Sequence, residues 1–296
     1  MPFVSVIVPV YNDAERLKTC LGALEAQTYP SEAYEVIAVD NNSDEGIESI
    51  VENYPHAVPE FERKQGSYAA RNRGLQSAKG DVFAFTDADC IPAENWIAEG
   101  VRRLQVEENT TGIVGGEIEM TFQRPNAPRP SEILDAMTGF AQEDVCTRRN
   151  FSATANLFTL RRVIEDVGPF NSRLKSAGDK EFGQRVSDHG YNVVYEPKAL
   201  VYHPARETPR ALFEKRFRLA KGQYDLRVER QGIHSLPDLL RESINHLRPM
   251  KGMIPRILTD SRFTSPSDRI AGILIYVLME LTFPAEKIRL WLSRGK

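Results

Sequence analysis

DVFAFTDADCI, residues 81–91, is the stretch that decides the fold. Val82 to Phe85 is a short apolar run, as a buried strand requires. It stops at Thr86-Asp87-Ala88-Asp89. Two carboxylates, one residue apart, then stand where a parallel strand would deliver its C-terminal end. That edge is where open α/β sheets bind ligands. Side chains alternate along a strand, so Asp87 and Asp89 can face the same side. Two carboxylates facing together repel unless a cation lies near them. A divalent metal carrying a phosphate ester meets that need, since Mg2+ and Mn2+ take oxygen ligands and share them with substrate phosphates. An isolated D-x-D more often marks a polar turn, so the surrounding chain has to decide.

Working back from Asp81, Gly66 to Ala78 reads as a helix and Ala57 to Glu62 as a weaker strand. A helix is expected over 45–54. Tyr34 to Val39 reads as a strand ending in Asp40-Asn41-Asn42-Ser43-Asp44. Leu17, Cys20, Leu21 and Leu24 recur at helical spacing after a β-branched strand, Phe3 to Val10. Strands alternating with helices imply a parallel sheet covered on both faces. Right-handed crossovers bring Tyr11-Asn12, Asp40 to Asp44 and Asp87 to Asp89 to one sheet edge. No G-x-G-x-x-G follows the first strand and no G-x-x-x-x-G-K-[ST] occurs, which disfavours a dinucleotide fold and a P-loop.

Working forward, helices are expected over 94–106 and 132–140, with irregular chain elsewhere in 123–150. Gly115-Gly116 lies in a strand over 112–120, where a ligand could approach the backbone. A strand over 152–160, a short helix over 161–167 and a helix after Asp179 follow. Two short strands, 191–195 and 199–202, precede His203. From Thr208 the composition changes. Residues 204–296 hold 18 Lys/Arg against 10 Asp/Glu, an excess of +8, which leaves -11 for the rest of a chain whose total is -3. A basic tail on an acidic body suits an anionic partner, or neutralises the body itself. Ile270 to Phe283 is apolar on nearly all sides except Glu280. Its fourteen residues fall short of the roughly 20 that span a bilayer. Three cysteines without C-x-x-C spacing argue against a disulfide framework or structural zinc. With no signal peptide evident, a cytoplasmic location is expected, with peripheral membrane contact through the tail.

Several motifs stand in order: VSVIVPVYN, VDNNSD, AARNRGL, TDAD, ATANLFTLRRVIEDVGPFN and GDKEFGQRVSDHGYNVVYEPKALVYH. On these the chain resembles the family-two glycosyltransferases, inverting enzymes of the A-type nucleotide-diphospho-sugar transferase fold. The likeness runs from Val4 to about Tyr224. It implies an α/β architecture, a Rossmann-like, mostly parallel sheet flanked by helices, with a helical C-terminal appendage. The domains expected are a catalytic one over 1–230 and an extension over 231–296.

The resemblance also implies roles. Pro9 and Tyr11 would cradle the base. Asp40 would accept from the imide N–H of uracil or its counterpart. Arg71 would position the nucleotide and Asp87 would lie near the ribose or sugar. Asp89 would hold Mn2+ or Mg2+, and His203 would complete the metal or diphosphate site. Asp179, six residues before Arg185, would be the general base. The family usually carries Glu just before that Asp. Here the residue is Gly178, and Glu181 competes for the role.

The chemistry is coherent by itself. A divalent cation stabilises a leaving diphosphate as a Lewis acid. A carboxylate in hydrogen-bond reach deprotonates an attacking hydroxyl. One base suffices for inversion, whereas glycoside hydrolysis flanks one bond with two carboxylates. A UDP-sugar donor and a glycan or lipid-linked acceptor are the expected substrates. A sugar-1-phosphate nucleotidyltransferase would want a Gly-rich basic loop where Pro-Val-Tyr-Asn stands. A non-catalytic nucleotide-sugar scaffold would not need Asp87, Asp89, Asp179 and His203 together. A processive polymerase is not expected, since Q-x-x-R-W is absent.

Overall fold

The computed structural model describes residues 1–107, 109–232, 235–247 and 250–294. Its first half alternates as the sequence implies: β1 (Val4–Val10), α1 (Ala14–Glu25), β2 (Tyr34–Asp40), α2 (Glu48–Val51), β3 (Ala57–Phe61), α3 (Ser67–Ser77) and β4 (Val82–Thr86). These four strands pair in parallel, with Val10 opposite Asp40 and Ile7 opposite Phe85. Every residue of β1, β2 and β4 is buried. That is why they read as near-continuous apolar runs rather than alternating ones. Each large side chain fully buried here, such as Ile7 or Phe85, stabilises the fold by about 2 kcal/mol. The helix expected over 45–54 is only the single turn of α2.

The chain continues through β5 (Ile91–Pro92), α4 (Trp96–Val106), β6 (Thr111–Thr121), α5 (Pro130–Thr138), α6 (Gln142–Arg149), β7 (Asn156–Leu160), α7 (Arg161–Val167), α8 (Gly178–Asp188) and β8 (Asn192–Pro204). Among the described residues the sheet runs β3-β2-β1-β4-β7-β6-β8-β5. The pairs β1–β2, β1–β4 and β2–β3 are parallel, and β6 and β8 also ascend together, the Asn192 amide donating to Thr110 and the Ala205 amide to Thr121. β7 runs antiparallel to both β4 and β6, and β5 antiparallel to β8. β4 therefore lies mid-sheet, and its exit delivers Asp87 and Asp89 between β1 and β7. The two short strands expected before His203 are one continuous strand, β8, and part of the stretch read as irregular is α6.

At Gly115-Gly116 the space a side chain would take is filled by the protein itself. A Cβ on Gly116 would stand 2.1 Å from the Ala199 carbonyl oxygen and 2.4 Å from the Asn156 side chain. A Cβ on Gly115 would meet Cys146 and Ser152 at 2.4 and 2.6 Å. The glycines admit the protein's own strands and side chains, which claim the space first.

The chain forms two compact units. One is Met1–Glu119 with Phe140–His203; the other is Met120–Gly139 with Pro204–Lys296. The second holds α5, α9 (Pro209–Gln231), α10 (Leu236–Leu247), α11 (Met250–Thr259) and α12 (Pro266–Arg294). The boundary expected after residue 230 falls at the end of α9, inside this unit. α5 joins the tail because Ile133 and Leu134 share a core with Leu212, Ile257, Phe263, Tyr276 and Met279. α12 buries one side through Tyr276, Met279, Phe283 and Leu290. Its other side leaves Ile270, Leu274, Leu278, Leu281 and Leu292 exposed. The side chain of Arg294 lies outside the described residues.

Candidate active site

The site is built on the exits of β1, β2 and β4, and the first two exits are tied together. Asn12, in the left-handed region at φ 49°, donates through Nδ2 to Asp44 and accepts through Oδ1 from the Asp44 amide. Its own amide donates to Ser43 Oγ at 3.0 Å. Asn tolerates this backbone because its short polar side chain bonds locally. Asp40, the last residue of β2, is 3% exposed and accepts from the Ser43 amide through Oδ1 at 2.9 Å. Asn41 ties the exit of β3 to the start of α3. Its Nδ2 donates to the Glu62 and Lys64 carbonyls, and its Oδ1 accepts from the Gly66 amide. Tyr11 carries an exposed ring, touched at its hydroxyl by Gln65 at 3.4 Å. Pro9 is buried in β1 opposite Val39. An open cavity of about 480 Å³ is lined by Asn12, Asp13, Ser43, Asp44 and Ile47.

At the exit of β4 the two aspartates take different partners. Asp87 Oδ1 accepts from Arg71 Nη2 at 2.5 Å, and the Arg71 side chain is almost wholly buried. Asp89 Oδ2 lies 3.5 Å from His203 Nε2. His203 comes from the far end of β8 and is buried beside the Phe140 ring, 5.0 Å between centroids. Cys90 Sγ donates to Asp89 Oδ1 at 3.9 Å. Ligating atoms of Asp89, Cys90 and His203 all fall within 4.8 Å of one another. At 3.5 Å apart, the Asp89 carboxylate and His203 imidazole are close enough that both would reach one cation. Burial, with Asp87 and Asp89 nearby, pushes the Cys90 thiol well above its ordinary value. That leaves the carboxylate and imidazole as the ready donors, an O/N set able to hold a divalent cation.

Asp179 stands in the first turn of α8. Ala177 just before the helix takes a left-handed backbone, φ 63° and ψ 12°, unusual for a residue with a Cβ. Asp179 Oδ1 accepts from the Lys180 amide at 2.8 Å and from the Tyr68 hydroxyl at 3.3 Å. The Asp179 amide donates to the same hydroxyl oxygen at 3.2 Å. Part of the residue surface remains open, although neighbouring atoms crowd the carboxyl. That crowding raises its pKa; the Lys180 amide, Arg71 and the Tyr68 hydroxyl work the other way without cancelling it. A raised carboxyl is the state a base needs to take a proton near neutral pH. Glu181, the competing carboxylate, is gripped by Arg185 at 2.9 and 3.1 Å. Arg185 also donates to the Val167, Gly168 and Pro169 carbonyls, so Glu181 anchors a loop.

Tyr68 and Cys90 were not singled out for the site by the sequence. Tyr68 lies 111 residues from the carboxylate it touches. The only signal was indirect: Gly178 leaves a gap that some other group had to fill.

The Glycosyl transferase family 2 model matches residues 5–168. The chain belongs to that family. Glycosyltransferase AglE of Haloferax volcanii is 40% identical over 230 residues, covering 75% of this chain and 73% of the relative. This family-two chain is thus a glycosyltransferase. Its fold is that of the A-type members. Mannosyltransferase PcManGT from Pyrobaculum calidifontis, solved with GDP-Man and Mn2+, superimposes at a TM-score of 0.67. The two are 20% identical, and the match covers 100% of this chain and 88% of that one. S. aureus TarS 1-349 with UDP-GlcNAc gives a TM-score of 0.53 at 20% identity, covering 74% and 66%.

Proposed function

We propose that this family-two enzyme is metal-dependent and inverting, and moves a sugar from a nucleotide-diphosphate donor to a hydroxyl of a glycan or lipid-linked acceptor. The observation that carries the reading is the separation of labour among three aspartates. Asp87 is held by Arg71, Asp89 is paired with His203, and Asp179 makes no ion pair among the described residues, the Arg71 charge reaching it only at longer range. In this reading Asp89 and His203 hold Mn2+ or Mg2+, which when bound offsets charge on the leaving diphosphate. Arg71 orients Asp87 toward the donor. Asp179 takes the proton of the acceptor hydroxyl, and attack from the face opposite the leaving group inverts the anomeric centre. A neighbour of this fold holds Mn2+ with GDP-Man and another holds UDP-GlcNAc, which supports a nucleotide-diphosphate donor.

A UDP-sugar is the favoured donor. Asp40 Oδ1 is already engaged by the Ser43 amide, which leaves Oδ2 as its open acceptor. A uracil imide offers one N–H to such an oxygen. Guanine offers two adjacent donors and wants both carboxylate oxygens, as in other paired recognition of a base edge. The exposed Tyr11 ring is available to stack on the base. Competition by UDP, dTDP and GDP, with transfer followed in Mn2+ and in EDTA, tests the reading. Turnover undiminished in EDTA would remove the metal. Tighter inhibition by GDP would overturn the Asp40 assignment.

The second unit is proposed to meet an anionic membrane surface, where a lipid-linked acceptor would reside. The exposed Ile270, Leu274, Leu278, Leu281 and Leu292 recur on one face of α12, a stripe about 33 Å long at 1.5 Å per residue. Among the described residues no helix is long and apolar enough to cross a membrane. A stripe of this kind lies in the interface plane. Exposed basic residues such as Arg256 add attraction when close to an anionic leaflet. Flotation with anionic vesicles should recover the protein at low salt and less at high salt; absence from the vesicle fraction at low salt would sink this part.

A further inference from the structure

The strongest unexplained feature of the site is a glycine where the family usually has a carboxylate. Backbone conformation does not require it, since Gly178 is not among the residues with positive φ. Space does. A Cβ at this position would stand 2.6, 2.7 and 2.8 Å from Cε2, Cζ and Cδ2 of Tyr68. Those are ring carbons, well inside van der Waals contact. The ring has little room to retreat. It is 5% exposed and stacks on Phe170 at 5.9 Å. Phe170 is itself wedged between Phe85 and Phe182, at 5.2 and 4.6 Å.

We infer that Tyr68 and Gly178 form one interdependent pair, in which Tyr68 positions Asp179 and the missing side chain at Gly178 makes room for it. The inference rests on Asp179 being the base. The Tyr68 hydroxyl meets Asp179 at two points, donating to Oδ1 and accepting from the amide. One contact fixes the carboxylate rotamer and the other fixes the helix start. The Lys180 amide completes the cradle. A Glu at 178 cannot coexist with this ring, so one chain carries either arrangement but not both. Burial, chiefly, keeps the Tyr68 phenol above its ordinary value, so it stays a donor across the working pH range.

Tyr68→Phe keeps the ring and deletes both hydroxyl contacts. We expect turnover to fall about 10-fold, the scale of one ordinary hydrogen bond lost, with donor KM unchanged. The acid limb of the kcat–pH profile should move upward, because a bond to the ionised carboxylate is lost. The groups facing Asp179 are Tyr68 and Arg71 from α3 and the Lys180 amide from α8, and only the first is altered. In an Asp179→Asn background the same substitution should add little further loss. Gly178→Ala should lower both turnover and melting temperature. Tyr68→Ala combined with Gly178→Glu should turn over faster than Tyr68→Ala alone. Wild-type turnover and an unmoved acid limb in Tyr68→Phe would overturn the pairing, as would a loss fully additive with Asp179→Asn. If Asp179→Asn itself retains turnover, the base assignment fails instead, and the two failures are told apart by that single variant.

Discussion

Two enclosed carboxylates in this molecule have opposite fates. Asp135, on α5 in the second unit, is buried with Lys215 Nζ at 2.7 Å and Arg206 Nη1 at 3.1 Å, and also accepts from the Arg206 amide. Burial alone would raise its carboxyl, but Lys215 and Arg206 outweigh burial and hold it below the ordinary range. Asp179, on α8 in the first unit, is met by a hydroxyl and an amide, and its carboxyl is raised. A carboxylate clamped by two cations cannot accept a proton at any useful pH, so Asp135 holds helices together. A carboxylate crowded but not directly ion-paired is available for proton transfer. Enclosure is common to both; the neighbours decide which one does chemistry.

Exchanging the two carboxylates for neutral groups should separate these roles. Asp179→Asn should lose about 10²–10⁴-fold in turnover, the span of general-base contributions, with donor affinity unchanged. Glu181→Gln should keep turnover, because Arg185 already commits that carboxylate. If those two results are reversed, the contrast has been drawn around the wrong residue. Asp135→Ala should act on stability instead. It takes a fully buried carboxylate away from both Lys215 and Arg206 and should cost roughly 3–5 kcal/mol in urea unfolding. An unfolding curve matching wild type would break the comparison from the other side.

The pH dependence sharpens it further. The lowered carboxyl of Asp135 contributes stability that is present above the unfolded carboxylate pKa, ~3.9, and lost as pH falls through the still lower folded value. Melting temperature should therefore hold from neutrality to about pH 4 on this account and drop below it. The raised carboxyl of Asp179 must be ionised to act as a base, so turnover should decline at a pH above ~3.9, while the protein is still folded. The smallest expected effect is one of sign. Above its folded pKa, the ionised Asp179 subtracts stability, so Asp179→Asn should raise the unfolding midpoint. Asp135→Asn should lower it.

Much of the first unit was legible because its signals are local. Residues 3–10, 34–39 and 82–85 are apolar runs whose burial follows from being covered on both faces, and each ends in the polar residues that now line the edge. The Asp89–His203 approach was legible only through motif order, since the two residues are 114 positions apart and no periodicity joins them. Tyr68 was legible only indirectly, through the gap at Gly178: its contact with Asp179 depends on a ring filling the space a glycine leaves in another helix. The reversed strand β7 escaped because long connections carry no handedness rule as strict as that of the parallel crossovers. In the second unit the apolar run 270–283 was visible, but its division into a packed side and an uncovered side was not. That division depends on where α5, a helix from mid-chain, comes to lie.

α3 has a bearing on how this sequence can change over generations. Tyr68 and Arg71 are three positions apart on it, so they stand on one face a single turn apart. One reaches Asp179 and the other Asp87, and the Arg71 guanidinium lies 5.6 Å from the centre of the Tyr68 ring. One residue gained or lost between them would swing one by about 100° relative to the other, and one of the two contacts would be lost. Gly74, packed against Ile7, and Asn72, bonded to both the carbonyl and the amide of Phe170, constrain the same helix further along. Its length between 68 and 71 cannot drift, and lineages descended from this chain should show substitutions there but no insertions or deletions.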